Sequence, residues 1–166
     1  AEACTRTLVV IRHGDSALAT LFTAEGIETV VCNDADKGMG HSLSRGIAAS
    51  AEADGWLVAL ADMPYIEPVS YLTVLRALQN GAGLARPTYQ GKIGHPVGFS
   101  ANYLPDLLTL TGDQGGKAIL DAHQNALYLG AVEDPGILED IGQSSQLSAT
   151  ENLPHPLLAT VSVSSP

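Results

Sequence analysis

Trp56-Leu57-Val58-Ala59-Leu60-Ala61-Asp62-Met63-Pro64 is the stretch that decides the fold. Six apolar residues without alternation are the pattern of a strand covered on both faces. A carboxylate follows at once, and Met63-Pro64 then turns the chain. Asp62 is thereby placed at the carboxyl edge of a central strand. Working outward, similar short runs alternate with helical spacing. Residues 7–11 and 29–32 read as strands. Between them Ser16–Ala24 reads as a helix with Asp15 or Ser16 as N-cap. Ser42 opens an Ala-rich helix expected to reach about Ala53. Beyond the central run, residues 69–79 read as a helix whose apolar stripe is Val69, Leu72 and Leu75. Residues 83–87 read as a strand stopped by proline. Residues 89–92 form a turn and 96–100 a return strand. Residues 104–110 and 116–122 read as helices, and 126–132 as a strand. Residues 143–166, rich in Ser, Thr and Pro, give no clear element.

This alternation predicts an α/β protein, a three-layer α/β/α fold around a mostly parallel mixed sheet. Residues 1–147 are expected to form a single domain, and 148–166 a C-terminal tail that can pack in part against it. In such sheets ligands sit beyond the carboxyl ends of the strands.

The 166 residues suffice for one domain. Hydrophobic residues make up 45% and charged residues 16% of the chain. An average domain carries about 25% charged residues, so a disordered chain is excluded. No apolar stretch approaches the ~20 residues that span a bilayer. The opening AEACTRTLVVIRHG has neither a basic n-region nor a long h-region, which argues against a signal peptide. Lys and Arg number 8 against 18 Asp and Glu, a net charge of −10. Nucleic acid and anionic membranes are therefore not expected as partners. A polyanionic ligand would need a metal ion or oriented backbone N–H groups. Cys4 and Cys32 accompany apolar runs, as small buried thiols do, and a cytoplasmic location is expected.

Five places can carry chemistry. Asp62 can hold Mg²⁺ against a triphosphate, or it can cap the next helix. The stretch Asn33 to Ser44 contains Gly38-Met39-Gly40-His41-Ser42, where backbone can approach a ligand or merely turn from strand to helix. Gly94-His95-Pro96 is a tightly shaped turn whose histidine can donate to a phosphate or a polar ring, or serve structure alone. Thr111 to Lys117 opens a helix, and its amides and Lys117 can meet an anion. Asp140, in Leu138-Glu139-Asp140-Ile141, is a second acidic candidate, otherwise a solvated turn residue. The histidines lack zinc-ligand spacing.

In this order the motifs resemble those of the molybdenum cofactor cytidylyltransferases. Gly38 to Leu43 resembles the family's G-M-G-x-S-L stretch, and Leu60 to Pro64 its G-D-M-P metal motif. Arg86-Pro87 with Gly91 to Val97 resembles its G-x-x-G-H-P-V segment. Gly112 to Gly116 is similar to its G-D-x-G loop, and Ile137 to Ile141 to the start of its L-x-D-I-D-T-P element. The resemblance implies a glycosyltransferase-A-like nucleotidyltransferase fold, here N-terminally short. It implies transfer of CMP, or another nucleoside monophosphate, from CTP or another triphosphate to molybdopterin, with release of pyrophosphate. It implies Mg²⁺ as cofactor, with Asp62 as catalytic metal ligand and Asp140 as a second ligand. Gly38, Met39, Gly40 and Ser42 would lie against the nucleotide. Gly94, His95, Pro96 and Lys117 would serve the acceptor side. A molybdoenzyme or its chaperone would be the further partner.

Three departures stand beside it. The family's opening strand and its phosphate-binding L-A-A-G-x-S-x-R-M-G loop have no counterpart in these residues. Ala61 replaces the glycine before the metal Asp, and Gly142 replaces a carboxylate. Little turnover is expected from this chain alone, and a catalytically degenerate relative that binds a pterin or a protein is the rival reading.

Overall fold

The computed structural model describes residues 4–14, 16–33, 37–60, 63, 65–112, 115–138 and 158–164. The elements run β1 (Cys4–Arg12), α1 (Ser16–Ala24), β2 (Glu28–Cys32), α2 (Met39–Ala48), β3 (Gly55–Leu60) and α3 (Pro68–Gln79). They continue with β4 (Leu84–Tyr89), β5 (Lys92–Ile93), β6 (Val97–Ser100), α4 (Leu104–Leu108), α5 (Lys117–Ala122), β7 (Leu127–Ala131) and β8 (Leu158–Ser164). The strands form one eight-stranded sheet of order β2-β1-β8-β3-β6-β4-β5, with β7 added to β4.

The sheet is mixed, as expected, but most of its pairings are antiparallel rather than parallel. β1, β2, β3, β4 and β7 all point one way. β8 and β6 point the other way and stand between them, and β5 runs antiparallel to β4. Only the β1–β2 and β4–β7 pairings are therefore parallel. The segment read as a tail supplies a central strand. β8 pairs antiparallel with β1 from Val10 to Cys4 and with β3 from Leu60 to Gly55.

The two faces of the sheet are packed differently. On one, Leu43 and Ile47 of α2, Leu107 of α4 and Ile119 of α5 meet Val10, Trp56, Val58, Leu84, Val97 and Phe99. Trp56 is fully buried, and its indole N–H donates to Ser50 O at 3.2 Å and Ser50 Oγ at 3.1 Å. On the other, α3 lays Val74 and Ala77 on Leu57 and Ala85. The expected stripe on α3 is corrected here: Val69 is 49% and Leu72 45% exposed, while Ser70, Val74 and Ala77 are buried. The cause is close packing. A Cβ on Gly98 would stand 2.6 Å from Val74 Cγ1, so the helix must present small residues to the strands.

Smaller boundary corrections have local causes. α2 starts at Met39 rather than Ser42, because Gly40 N donates to Gly112 O at 2.7 Å and draws the first turn in early. It stops at Ala48, where Ala49 N and Ser50 N close the last turn on Arg45 O and Ile47 O. β4 continues past Pro87 to Tyr89. The hairpin turn has positive φ at Gln90 (50°) and Gly91 (81°), the pattern of a two-residue I′ turn. β5 and β6 then form one interrupted strand beside β4. Thr88 faces Ile93 and Ala85 faces Gly98, so the register slips by two residues in between. Gly94-His95-Pro96 forms this bulge, and Pro87 sits opposite it, where the ladder is already broken.

Candidate functional site

The carboxyl ends of β1, β2, β3, β4 and β7 share one edge, and three loops meet there. The first is the turn after β3. Met63 is buried, and its N–H donates to Leu60 O at 3.1 Å, which holds it against the end of β3. The second is the bulge. Gly94 N donates to Pro87 O and His95 N to Ile137 O, both at 3.0 Å. The third is the 3-10 turn Pro135–Ile137.

Asp134 joins the first loop to the third. It is 1% exposed, and its carboxylate takes three donors. Glu67 N reaches Oδ2 at 2.8 Å, Ser70 Oγ reaches Oδ2 at 2.7 Å, and Gly136 N reaches Oδ1 at 2.8 Å. Two of these lie at the N-terminal end of α3, where the helix dipole favours negative charge. Gly136 is pressed so close to Tyr65 O that no Cβ fits, and Gly94 is pressed equally hard on Ile137 O. The three loops therefore touch backbone to backbone.

The candidate residues distribute around this junction. Asp62 and Asp140 lie outside the described residues. The segments beside them do not: Tyr65 to Glu67 and Asp134 to Gly136 are in direct contact. Gly94 and Pro96 are buried and His95 half-buried, with a cis His95–Pro96 bond.

Gly38, Met39, Gly40 and Ser42 stand at the start of α2, locked to the loop before α5. A Cβ on Gly40 would stand 2.7 Å from Thr111 O, and one on Gly115 3.3 Å from Met39 Sδ. Gly112 N donates to His41 Nδ1 at 3.3 Å. Gly40 and Gly115 thus serve contact between two loops. Gly38, at φ 128°, needs the conformational freedom only glycine has. Lys117 opens α5, and its Nζ lies 3.2 Å from Asp121 Oδ2 one turn on.

Two further residues at this edge matter through partners in other elements. Asp134 belongs to an Asp-Pro-Gly turn signature, but its partners on α3 are 67 and 64 positions away. Arg86 sits inside β4, its Nε donating to Gly94 O at 3.0 Å. Burial holds its guanidinium below the ordinary arginine range.

A cavity of about 310 Å³ opens beside α2 at the end of β2, lined among others by Val31, Asn33, His41, Ser44, Arg45 and Leu110. Arg45 Nε donates to Val31 O at 3.2 Å and Ser44 Oγ to Leu108 O at 2.8 Å, so its walls are tied together. Among the described residues no group of three or more His, Cys, Asp or Glu side chains could hold a metal ion, and no helix is long and apolar enough to cross a membrane.

A family model described as a MobA-like NTP transferase domain matches residues 1–126. The purine catabolism protein PucB of Bacillus subtilis (strain 168) is 40% identical over 116 residues, which are 67% of this chain and 55% of that protein. The chain thus spans about half the length of this curated relative. Rv0371c of Mycobacterium tuberculosis H37Rv matches with a TM-score of 0.65 at 23% identity, over 75% of this chain and 64% of that one. Its complex with manganese gives 0.63 at 22% identity, over 75% and 66%. At these identities the solved structures bear on the fold alone, and they bear out the α/β architecture.

Proposed function

The chain belongs to the MobA-like NTP transferase domain family, and on that premise we propose that it transfers a nucleoside monophosphate from a nucleoside triphosphate to a phosphate-bearing acceptor, releasing pyrophosphate. The finer reading is CTP as donor and molybdopterin as acceptor. It is supported by the ordered motifs at 38–43, 60–64, 91–97, 112–116 and 137–141. The observation that carries the proposal is the junction at the carboxyl edge. His95 N on Ile137 O joins the motifs at 91–97 and 137–141, and Asp134, just before the latter, takes Glu67 N and Ser70 Oγ from the segment that follows 60–64, at the edge where such sheets bind ligands.

The residues suit a divalent cation. Asp62 and Asp140 offer hard oxygen donors, and the segments flanking them are held in contact. Rv0371c has itself been obtained in complex with manganese. A bound Mg²⁺ would screen the charge of the triphosphate. The protein's own part is positioning. Gly38, Met39, Gly40 and Ser42 would hold the nucleotide against α2. The cavity beside α2 has a mixed lining, with Asn33, His41, Ser44 and Arg45 as polar groups that could bind a base and ribose. Gly94, His95, Pro96 and Lys117 would bound the acceptor. A molybdoenzyme or its chaperone would take the product.

The test is a thermal-shift titration with Mg²⁺ and CTP, GTP, ATP or UTP in turn. Ligand at 100 times its dissociation constant adds about 2.7 kcal/mol. At about 2–4 °C per kcal/mol, that raises Tm by roughly 5–11 °C. A shift with one nucleotide, lost with chelator and lost in Asp62→Asn, supports the reading. Full binding by Asp62→Asn contradicts the metal role. No shift with any nucleotide favours a relative that binds a pterin or a protein without catalysis.

A further inference from the structure

We propose that Arg86 is an anion-binding residue that receives the phosphate of the acceptor, a phosphate monoester, beside the Gly94 bulge. The identity of the anion rests on the transfer reading above; the anion site itself rests on geometry. Arg86 alternates with Leu84 on β4, so it lies on the face covered by α2, α4 and α5, one step nearer the carboxyl edge. It is half-buried, and Nε is fixed on Gly94 O at 3.0 Å. That bond sets the plane of the guanidinium, and among the described residues neither Nη group has a hydrogen-bond partner.

The contrast with the other cations is sharp. Arg6 is paired with Glu28 and Glu52, and Lys117 with Asp121. Arg45, Arg76 and Lys92 are exposed to solvent. Among the described side chains Arg86 alone combines burial with the absence of a carboxylate partner. The chain has 18 acidic residues, so acids are not scarce. A charge taken out of water without a counter-ion is unfavourable, and a ligand anion removes that cost. A guanidinium with Nε anchored and two Nη groups open is a fork that fits two phosphate oxygens. The bulge has a part in this. Gly94 N still donates to Pro87 O, but Pro87 has no N–H to return the bond, and the Gly94 carbonyl is thereby available to orient the arginine.

The experiment follows the Arg86 Nε–Hε signal by ¹H–¹⁵N NMR during titration with inorganic phosphate and then with phenyl phosphate. The expected result is a saturable shift with both. Arg86→Gln should weaken phosphate binding about tenfold or more, and Arg86→Lys, which keeps the charge without the fork, should weaken it less. A signal that does not move overturns the proposal in the wild-type protein, whether or not a variant folds. Phosphate binding equal in wild type and a folded Arg86→Gln also overturns it. Calorimetry with Mn²⁺ and CTP separates the source of the phosphate. Unchanged nucleotide affinity in Arg86→Gln supports the acceptor assignment, and a parallel loss overturns it in favour of the nucleotide's own phosphates. Phosphate binding at Arg86 without nucleotide binding would sink the transfer reading and the acceptor assignment while leaving the anion site. Nucleotide binding with a silent Arg86 would do the reverse.

Discussion

Ser70 Oγ donates to Asp134 Oδ2 at 2.7 Å, joining two buried residues that stand 64 positions apart. The same oxygen accepts Glu67 N, so one carboxylate fixes both the start of α3 and the turn at 135–137. Removing it strands three donors: two backbone N–H groups and a hydroxyl. Asp134→Ala should cost about 3 kcal/mol or more in denaturant unfolding, since each buried unsatisfied group costs about 1–3 kcal/mol. Asp134→Asn keeps the shape and one acceptor oxygen, and should cost less. The cycle with Ser70→Ala should show a coupling of at least about 0.5 kcal/mol. Additive losses would mean that the hydrogen bond contributes nothing.

Gly94 and Gly136 are predicted to be intolerant of any side chain. Each faces a backbone carbonyl, Ile137 O and Tyr65 O respectively, and backbone cannot swing away. Gly94→Ala and Gly136→Ala should each lose about 1–3 kcal/mol through overpacking. Gly91 is the control. Its φ is 81° with open space around it, so Gly91→Ala should cost only conformational strain, about 1–2 kcal/mol. Near-ultraviolet circular dichroism should change for the first two and not for the third. If Gly136→Ala melts like wild type, the loops are not held as described.

β8 should be indispensable to this sheet. It lies hydrogen-bonded on both sides, to β1 and to β3. Residue 161 faces Thr7 on one strand and Leu57 on the other. Val161→Pro removes a ladder donor in a central strand, where proline is essentially not found. The expected outcome is loss of cooperative unfolding, or aggregation through the freed strand edges. A cooperative melt close to wild type would exclude residues 158–164 from the centre of the sheet.

That strand also marks the limit of what the sequence discloses. β3 is readable in Trp56 to Leu60, because a strand buried on both faces needs an unbroken apolar run. β8 reads Leu-Ala-Thr-Val-Ser-Val-Ser, behind a Ser- and Pro-bearing stretch, and its partners lie about 100 to 160 positions earlier. The Val161-Ser162-Val163-Ser164 alternation is a strand pattern, but nothing local places that strand between β1 and β3. The site shows the same division. Gly38, Gly40 and Gly94 announce close approach, but the sequence does not say whether to a ligand or to another loop. For Gly40 and Gly94 the neighbour is a carbonyl of the chain itself. Asp134 and Arg86 matter through partners in other elements, which composition and spacing do not reveal.

Tyr71 gives the pH-dependent prediction. Burial raises its phenol above the ordinary value of 10.0, and the nearby charge of Asp134 adds to the shift. The folded state therefore favours the neutral phenol. The stability this supplies is complete below the unfolded tyrosine range and is lost as pH rises through the folded value. Spectrophotometric titration at alkaline pH should show one tyrosine ionising later than the rest, and Tyr71→Phe should remove that late step. In Asp134→Asn the step should move only part of the way back toward 10.0, because desolvation is the larger cause. A full return in that variant would make the carboxylate charge the dominant influence, and with it the burial of Tyr71 on α3 would have to be revised.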